Sequence, residues 1–176
     1  MAAKPSWSDW VAEPPFELRF ALPWMNYDGD GGPGQRIHQC GLKAIDFALA
    51  DHKTRTLYLL EVKSAEWFQV AAEDKWEQKV CDLFRCFMDS LGVLARLAEA
   101  PNDWVRDAAR AYRVRLVVFY APRTPDVSLP QGLSEILRKR LRKKFRSLDI
   151  DSDVLVETLA TLQIPGRADA LPFEVR

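Results

Sequence analysis

KAIDFALADHKTRTLYLLEVK, residues 43–63, decides how the chain folds. Two runs rich in leucine, β-branched and aromatic side chains, Ala44–Ala50 and Thr56–Lys63, flank the polar stretch Asp51–Arg55, and such runs around a short break read as a β-hairpin. A turn centred between Lys53 and Thr54 places Asp46 directly opposite Glu61. Opposed residues of an antiparallel pair project from one face, and Lys63, two residues past Glu61, shares it. Two facing carboxylates repel, so the pairing calls for something cationic between them, and a divalent metal is the natural candidate. Ile45, Phe47 and Leu49 then share a face suited to a core. Ala44, Asp46, Ala48 and Ala50 share the other, a carboxylate among methyl groups that leaves room for an ion and a substrate. The alternative is a solvated sheet face carrying scattered charges.

Downstream of this hairpin a helix carries Gln78-Lys79-Val80 and Asp82. The series Ile45-Asp46, a gap through Leu60, Glu61-Val62-Lys63 and then that helix resembles the PD-(D/E)XK nuclease superfamily, and within it bacterial proteins. Ile45 stands where the superfamily usually has proline. The resemblance covers about residues 42–121 and implies an α/β fold, restriction endonuclease-like, with a mixed central sheet flanked by helices. It implies Asp46, Glu61 and Lys63 as catalytic residues, with Gln78 on the helix reaching the site and Lys75 or Lys79 the next candidates. It implies Mg²⁺ or Mn²⁺ held by Asp46, Glu61 and the Val62 backbone carbonyl, since hard oxygen ligands suit these ions. The activity implied is hydrolysis of phosphodiester bonds in nucleic acid, DNA ahead of RNA, in a setting such as bacterial anti-phage defence. The alternative is a non-catalytic subunit of the same fold that binds a partner protein or nucleic acid in a larger complex. A homodimer would suit cutting of both strands. The superfamily core often begins with a helix that adds one more glutamate, but Glu13 and Glu17 are the only upstream glutamates and neither lies on a long helical pattern.

A chain of 176 residues is long enough to bury its own core as one domain, spanning 1–176. Its 48% hydrophobic content and six tryptophans describe a globular protein, and its formal net charge of zero excludes a general polycation. No apolar run is long enough to span a bilayer, and MAAKPSWSDW has no hydrophobic leader segment, so a cytoplasmic protein with no membrane partner is expected. Cys40, Cys81 and Cys86 have no CxxC spacing and read as reduced thiols; His38-x-Cys40 lacks the second pair that a zinc site needs.

Elsewhere the pattern predicts a helical turn over Ser6–Val11, a strand over Phe16–Leu22 and a loop over Trp24–Gly34 running on to a strand through Gly41. The loop matches GxGxxG from Gly29 to Gly34, but Pro33 removes a donor that a pyrophosphate would need, so a nucleotide site is the remoter reading. After a connection at Ser64–Phe68, Trp76, Val80, Leu83, Phe84, Phe87, Met88, Leu91, Leu94 and Leu97 recur at three- and four-residue steps and predict a long helix, Val70–Leu97. A short helix capped by Asn102 or Asp103 runs to Tyr112, then Arg113–Tyr120 is a strand buried on both faces, ended by Pro122 and Pro125.

Gln131–Leu148 predicts a third helix with Leu133, Ile136, Leu137, Leu141, Phe145 and Leu148 facing inward. Its outer side carries Arg138, Lys139, Arg140, Arg142, Lys143, Lys144 and Arg146, of which Arg138, Lys139, Arg142, Lys143 and Arg146 are the candidate nucleic-acid contacts. The competing reading is a solvated face offset by Asp149, Asp151 and Asp153. Those aspartates begin like a calcium loop, but Val154 replaces its glycine and Ala160 its last glutamate, so it is rejected. Asp153–Leu159 predicts an edge strand, and the tail from Pro165 reads as irregular.

Overall fold

The hairpin forms in the register expected from its turn. In the computed structural model, which describes residues 7–14, 16–29, 32–38, 40–69, 73–96, 103–121, 132–148, 153–158, 161 and 171–176, the strands are Val11–Glu13 (β1), Phe16–Phe20 (β2), Trp24–Asn26 (β3), Phe47–Asp51 (β4), Thr56–Ser64 (β5), Arg113–Ala121 (β6), Asp153–Glu157 (β7) and Phe173–Val175 (β8). The α-helices are Pro33–His38 (α1), Glu73–Arg96 (α2), Asp103–Ala111 (α3) and Leu133–Arg146 (α4), with a 3-10 turn at Ala65–Phe68. Phe47 pairs with Leu60 and Asp51 with Thr56, so Asp46 falls opposite Glu61. Asp51 holds the turn: its side chain accepts from the Lys53 amide at 2.9 Å and the Thr54 hydroxyl at 2.8 Å.

One sheet has the order β3-β4-β5-β6-β7, and a second has the order β1-β2-β8. The first is mixed: β3, β4 and β5 run antiparallel, while β5, β6 and β7 run parallel. A parallel neighbour requires a crossover, which α2 and α3 supply between β5 and β6. Both faces of this sheet are covered, which is why its strands are apolar runs rather than alternations. On one face Leu57, Leu59, Leu116, Val118 and Val154 pack with Leu83, Phe87 and Leu94 of α2 and Leu137, Leu141 and Phe145 of α4. On the other, Phe47, Leu49, Leu60, Val117 and Phe119 pack with Phe16, Leu18, Phe20 and Phe173 of the small sheet. The result is a three-layer α/β molecule with two sheets.

Several expectations are corrected. Val11 opens a strand rather than ending a helical turn, because residues 11–13 pair with Phe16–Leu18. Within the expected loop Trp24–Asn26 forms a strand on β4, too short to carry a periodic signal. Beyond it Pro33–His38 is a helix and not the approach to a strand; proline at the first helical position lacks an N–H that would be unpaired there anyway. In the tail, Phe173–Val175 is a strand paired with β2. On α4 the buried residues are Leu133, Leu137, Leu141 and Phe145, a strict four-residue stripe, which leaves Ile136 40% and Leu148 52% exposed. Ile45 precedes β4 and packs with Ala48 and Ala50 on the helix side, not with Phe47 and Leu49. The Ala48–Ala50 face is therefore closed: its methyl groups let the helices approach the sheet and leave no room there for a substrate. Ser6, Asp30, Gly31, Val70, Leu97, Asn102, Pro122, Pro125, Gln131, Asp149, Asp151, Leu159, Ala160 and Pro165 lie outside the described residues.

Candidate functional site

Asp46 is fixed from three directions before its side chain is considered. Its carbonyl accepts from the Tyr27 amide at 2.8 Å, and its amide donates to the Leu60 carbonyl at 3.2 Å. One residue earlier the Ile45 amide donates to Ser90 Oγ of α2 at 3.0 Å, and the Lys43 amide donates to Asp89 Oδ2 at 3.0 Å. The Asp46 side chain is fixed in turn, because Oδ2 accepts from the Val62 amide at 2.6 Å.

Glu61 lies on the middle strand of the mixed sheet, beside Val118 of β6, and is 1% exposed. Its Oε1 forms an ion pair with Lys63 Nζ, while Oε2 is buried without a hydrogen-bond partner among the described residues. Lys63 reaches the surface partly, its side chain 26% exposed. Beyond it the 3-10 turn is anchored by buried Ala65 and Phe68, which holds the half-buried Trp67 at the edge of the group. Lys79 Nζ lies 4.0 Å from the Trp67 ring centroid and Lys63 Nζ 6.0 Å from it, so two cations share one indole.

The charges perturb one another strongly. Burial pushes the Glu61 carboxyl far up, and the Asp46 charge pushes it further, against the opposing pull of Lys63. Burial also raises Asp46, with Lys63 and the Val62 hydrogen bond opposing. Burial disfavours the Lys63 ammonium, but Glu61 and Asp46 outweigh it and hold the amine well above its ordinary range. Glu13, on β1 of the small sheet, joins the same group: burial and then the Asp46 charge push it up to about 7, with Lys63 pulling the other way. Asp28 adds repulsion to Asp46, Glu61 and Glu13. The buried Cys86 thiol is pushed up to about 12 by burial and by Glu61, so it stays protonated.

Asp46, Glu61 and Lys63 are thus brought together. Val62 enters as the amide donor that locks Asp46. Gln78 does not meet them in bonding contact; its Nε2 donates to Asp82 Oδ1 at 3.1 Å, and Asp82 pairs with Lys43 Nζ at 2.8 Å. Lys79, the lesser candidate, is the helix residue that approaches Lys63, through Trp67. On the basic helix several cations are engaged: Arg138 pairs with Glu135, Arg142 with Asp153 at 3.2 Å, and Lys144 and Arg140 with Glu77 at 2.6 and 3.5 Å. His38 Nε2 lies 2.7 Å from Asp28 Oδ1, and Cys40 is a free, exposed thiol. In the glycine-rich stretch the Gly32 amide donates to the Gly29 carbonyl and the Gly34 amide to the Tyr27 carbonyl, both at or below 2.9 Å, so neither is offered to a phosphate.

Glu13 is one of the two upstream glutamates that the resemblance points to, though it stands on a strand and not a helix, whereas Trp67 has no signal in the sequence that marks it. Glu13 arrives from a separate sheet, through packing distant in sequence. Trp67 reads as one more core aromatic. Among the described residues no set of three or more His, Cys, Asp or Glu side chains is grouped closely enough to hold a metal ion, and no helix is long and apolar enough to cross a membrane. No protein-family model, curated protein or solved structure matches the chain.

Proposed function

We propose that the chain is a metal-dependent nuclease of restriction endonuclease-like fold that hydrolyses phosphodiester bonds in nucleic acid, DNA ahead of RNA. The observation that carries this reading is the buried, partnerless Oε2 of Glu61 beside a second carboxylate on the adjacent strand. A fold that needed only packing would gain by filling this place with an apolar side chain, because a buried carboxylate with an unsatisfied oxygen costs about 1–3 kcal/mol or more. The mixed sheet order and the helical crossover after Lys63 support the fold reading.

Once deprotonated, Glu61 Oε2 and the Asp46 carboxylate would form a hard, anionic oxygen pair, which fits Mg²⁺ or Mn²⁺, ions that displace the protons, keep several waters and need only one or two protein carboxylates. Such an ion, when bound by Asp46 and Glu61, supplies positive charge toward a phosphoryl oxygen and makes a water more acidic. Lys63 remains an ammonium, so it donates to a phosphate oxygen and offsets the charge that builds there; it is no proton acceptor. In such a reaction a carboxylate with raised proton affinity, of which Glu13 at about 7 is one, would take the proton of the attacking water as the P–O bond to the leaving oxygen breaks, and return it to that oxygen. Val62 keeps Asp46 oriented throughout.

A second reading has one observation in its favour: at 1% exposure Glu61 is nearly sealed, as in a subunit of the same fold that binds a partner and does no chemistry. Labelled plasmid, linear duplex, single-stranded DNA and RNA, incubated with Mn²⁺ or Mg²⁺ and with wild type, Lys63→Ala or Asp46→Asn protein, decide between the two. The nuclease reading expects wild-type cleavage of at least one substrate, abolished by EDTA and reduced at least a hundredfold in both variants. Absence of cleavage on every substrate overturns it in favour of the subunit, and equal cleavage by Lys63→Ala overturns the role given to Lys63.

A further inference from the structure

Among the described residues, the outer face of α4 divides into cations held in close pairs with the protein's own acids and cations that are not, although Lys143 still adds a longer-range pull on Glu77. Arg138 is held by Glu135, Arg142 by Asp153 and the Val154 carbonyl, and Arg140 and Lys144 by Glu77 of α2. Lys143 and Arg146 are exposed and have no ion pair among the described residues, and Lys139, with a side chain 75% exposed, touches Glu135 only at 3.6 Å. Lys139, Lys143 and Arg146 follow one another at four- and three-residue steps, so they line one ridge of the helix. Together with Glu135 and Arg142 they line a depression of about 310 Å³.

We propose that this ridge is a binding track for the sugar–phosphate backbone of nucleic acid, separate from the Asp46–Glu61 centre. From Lys139 to Arg146 the helix rises about 10 Å, roughly three nucleotide steps at about 3.4 Å each along one strand, so three cations meet about three phosphates. The contacts are to backbone alone and carry no base information. A linear polyanion fits better than a lipid surface, since among the described residues only Ile136 and Leu148 are exposed large apolar side chains and a membrane-lying helix needs a broad apolar face. Tyr120 Oη lies 2.9 Å from Ser134 Oγ, which ties the start of α4 to the end of the sheet where Tyr120 pairs with Lys63. The track therefore leads away from the candidate centre. Its occupant rests on the nucleic-acid reading of that centre, but its test does not require hydrolysis.

The test is fluorescence anisotropy of labelled single-stranded and duplex oligonucleotides in EDTA, over about 50–200 mM KCl. The proposal expects wild-type binding that weakens steeply with salt. A Lys143→Ala/Arg146→Ala double variant, with an unchanged thermal melt, should lower the magnitude of the log–log salt slope by about 2. Glu135→Gln, which removes the one carboxylate lining the depression and releases Lys139 and Arg138, should tighten binding. An unchanged slope in the double variant, no wild-type binding, or binding confined to phosphatidylserine vesicles overturns the proposal. Binding that follows these variants, in a protein that cleaves nothing with Mn²⁺, would leave the track standing and defeat only the nuclease reading.

Discussion

Replacing Glu61 with glutamine should make the protein relatively more stable as pH rises, by an amount that the site itself fixes. The carboxyl is pushed up to about 8 from an ordinary 4.5, first by burial and then by Asp46. Between pH 6 and pH 8 the unfolded chain carries this group ionised, whereas the folded chain keeps it largely protonated. The folded state thus holds more protons, and wild-type stability falls as pH rises through this window. Each pH unit is worth about 1.4 kcal/mol for a whole proton; two units, less the half-ionisation reached near pH 8, give about 2 kcal/mol. Glutamine has the shape of the protonated acid and nothing to titrate. Lys63 stays charged across the window in either protein, so the loss of its partner shifts the two curves by a constant. Urea unfolding followed by tryptophan fluorescence in EDTA, at pH 6, 7 and 8, measures the gap between Glu61→Gln and wild type directly. The gap should move in favour of the variant by about 2 kcal/mol from pH 6 to pH 8. A gap that stays flat within 0.5 kcal/mol or so, or moves the other way, would refute the claim that Glu61 is a buried, strained acid.

Four further outcomes are expected. Mn²⁺ at about a hundred times its Kd should stabilise the wild type by about 2.7 kcal/mol, a rise in Tm of roughly 5–10 °C by differential scanning fluorimetry, and the apparent affinity should increase from pH 6 to pH 8 because protons on Asp46, Glu61 and Glu13 compete with the ion; Asp46→Asn should lose the shift. Gln78→Ala should leave any metal-dependent cleavage rate within about threefold of wild type, since Gln78 bonds to Asp82 and not to the carboxylate pair. Ser90→Ala should cost about 1–3 kcal/mol in urea unfolding, because Ser90 is fully buried and accepts from the Ile45 amide next to Asp46. Phe145→Ala, which removes the ring lying 4.8 Å from Phe84 and 6.5 Å from Phe87, should cost about 3–5 kcal/mol by the same assay and loosen α4 from α2.

What could be read from the sequence was local, and what could not was assembled from distant segments. The register of the hairpin was legible because a short turn between two apolar runs leaves one pairing that buries both, and that pairing alone set Asp46 opposite Glu61. The long helix and the strand Arg113–Ala121 were legible from period and apolar content. Val11–Glu13 and Phe173–Val175 were not, because three-residue strands have no period and form only when each finds β2, for the latter more than 150 residues away in the chain. The same cause hid what separates Glu13 from Glu17, the two upstream glutamates: Glu13 reaches the carboxylate group only because the small sheet packs on the mixed one. The alanines beside Asp46 were misread for a different reason. Small side chains mark either open space or close approach, and sequence does not say which; here Ala48 and Ala50 lie under helices. On α4 the charge run was visible, but which cations face their own acids depended on Glu77 and Asp153, brought in from other elements.

The whole account depends on Asp46 and Glu61 acting as a pair of ligands for one divalent ion. Anomalous diffraction from a crystal soaked in Mn²⁺ near pH 8 tests this most directly. The account predicts a manganese peak between the two carboxylates, within bonding distance of Glu61 Oε2, that disappears in Asp46→Asn crystals. A map with no peak there, while manganese binds elsewhere on the protein, would contradict it.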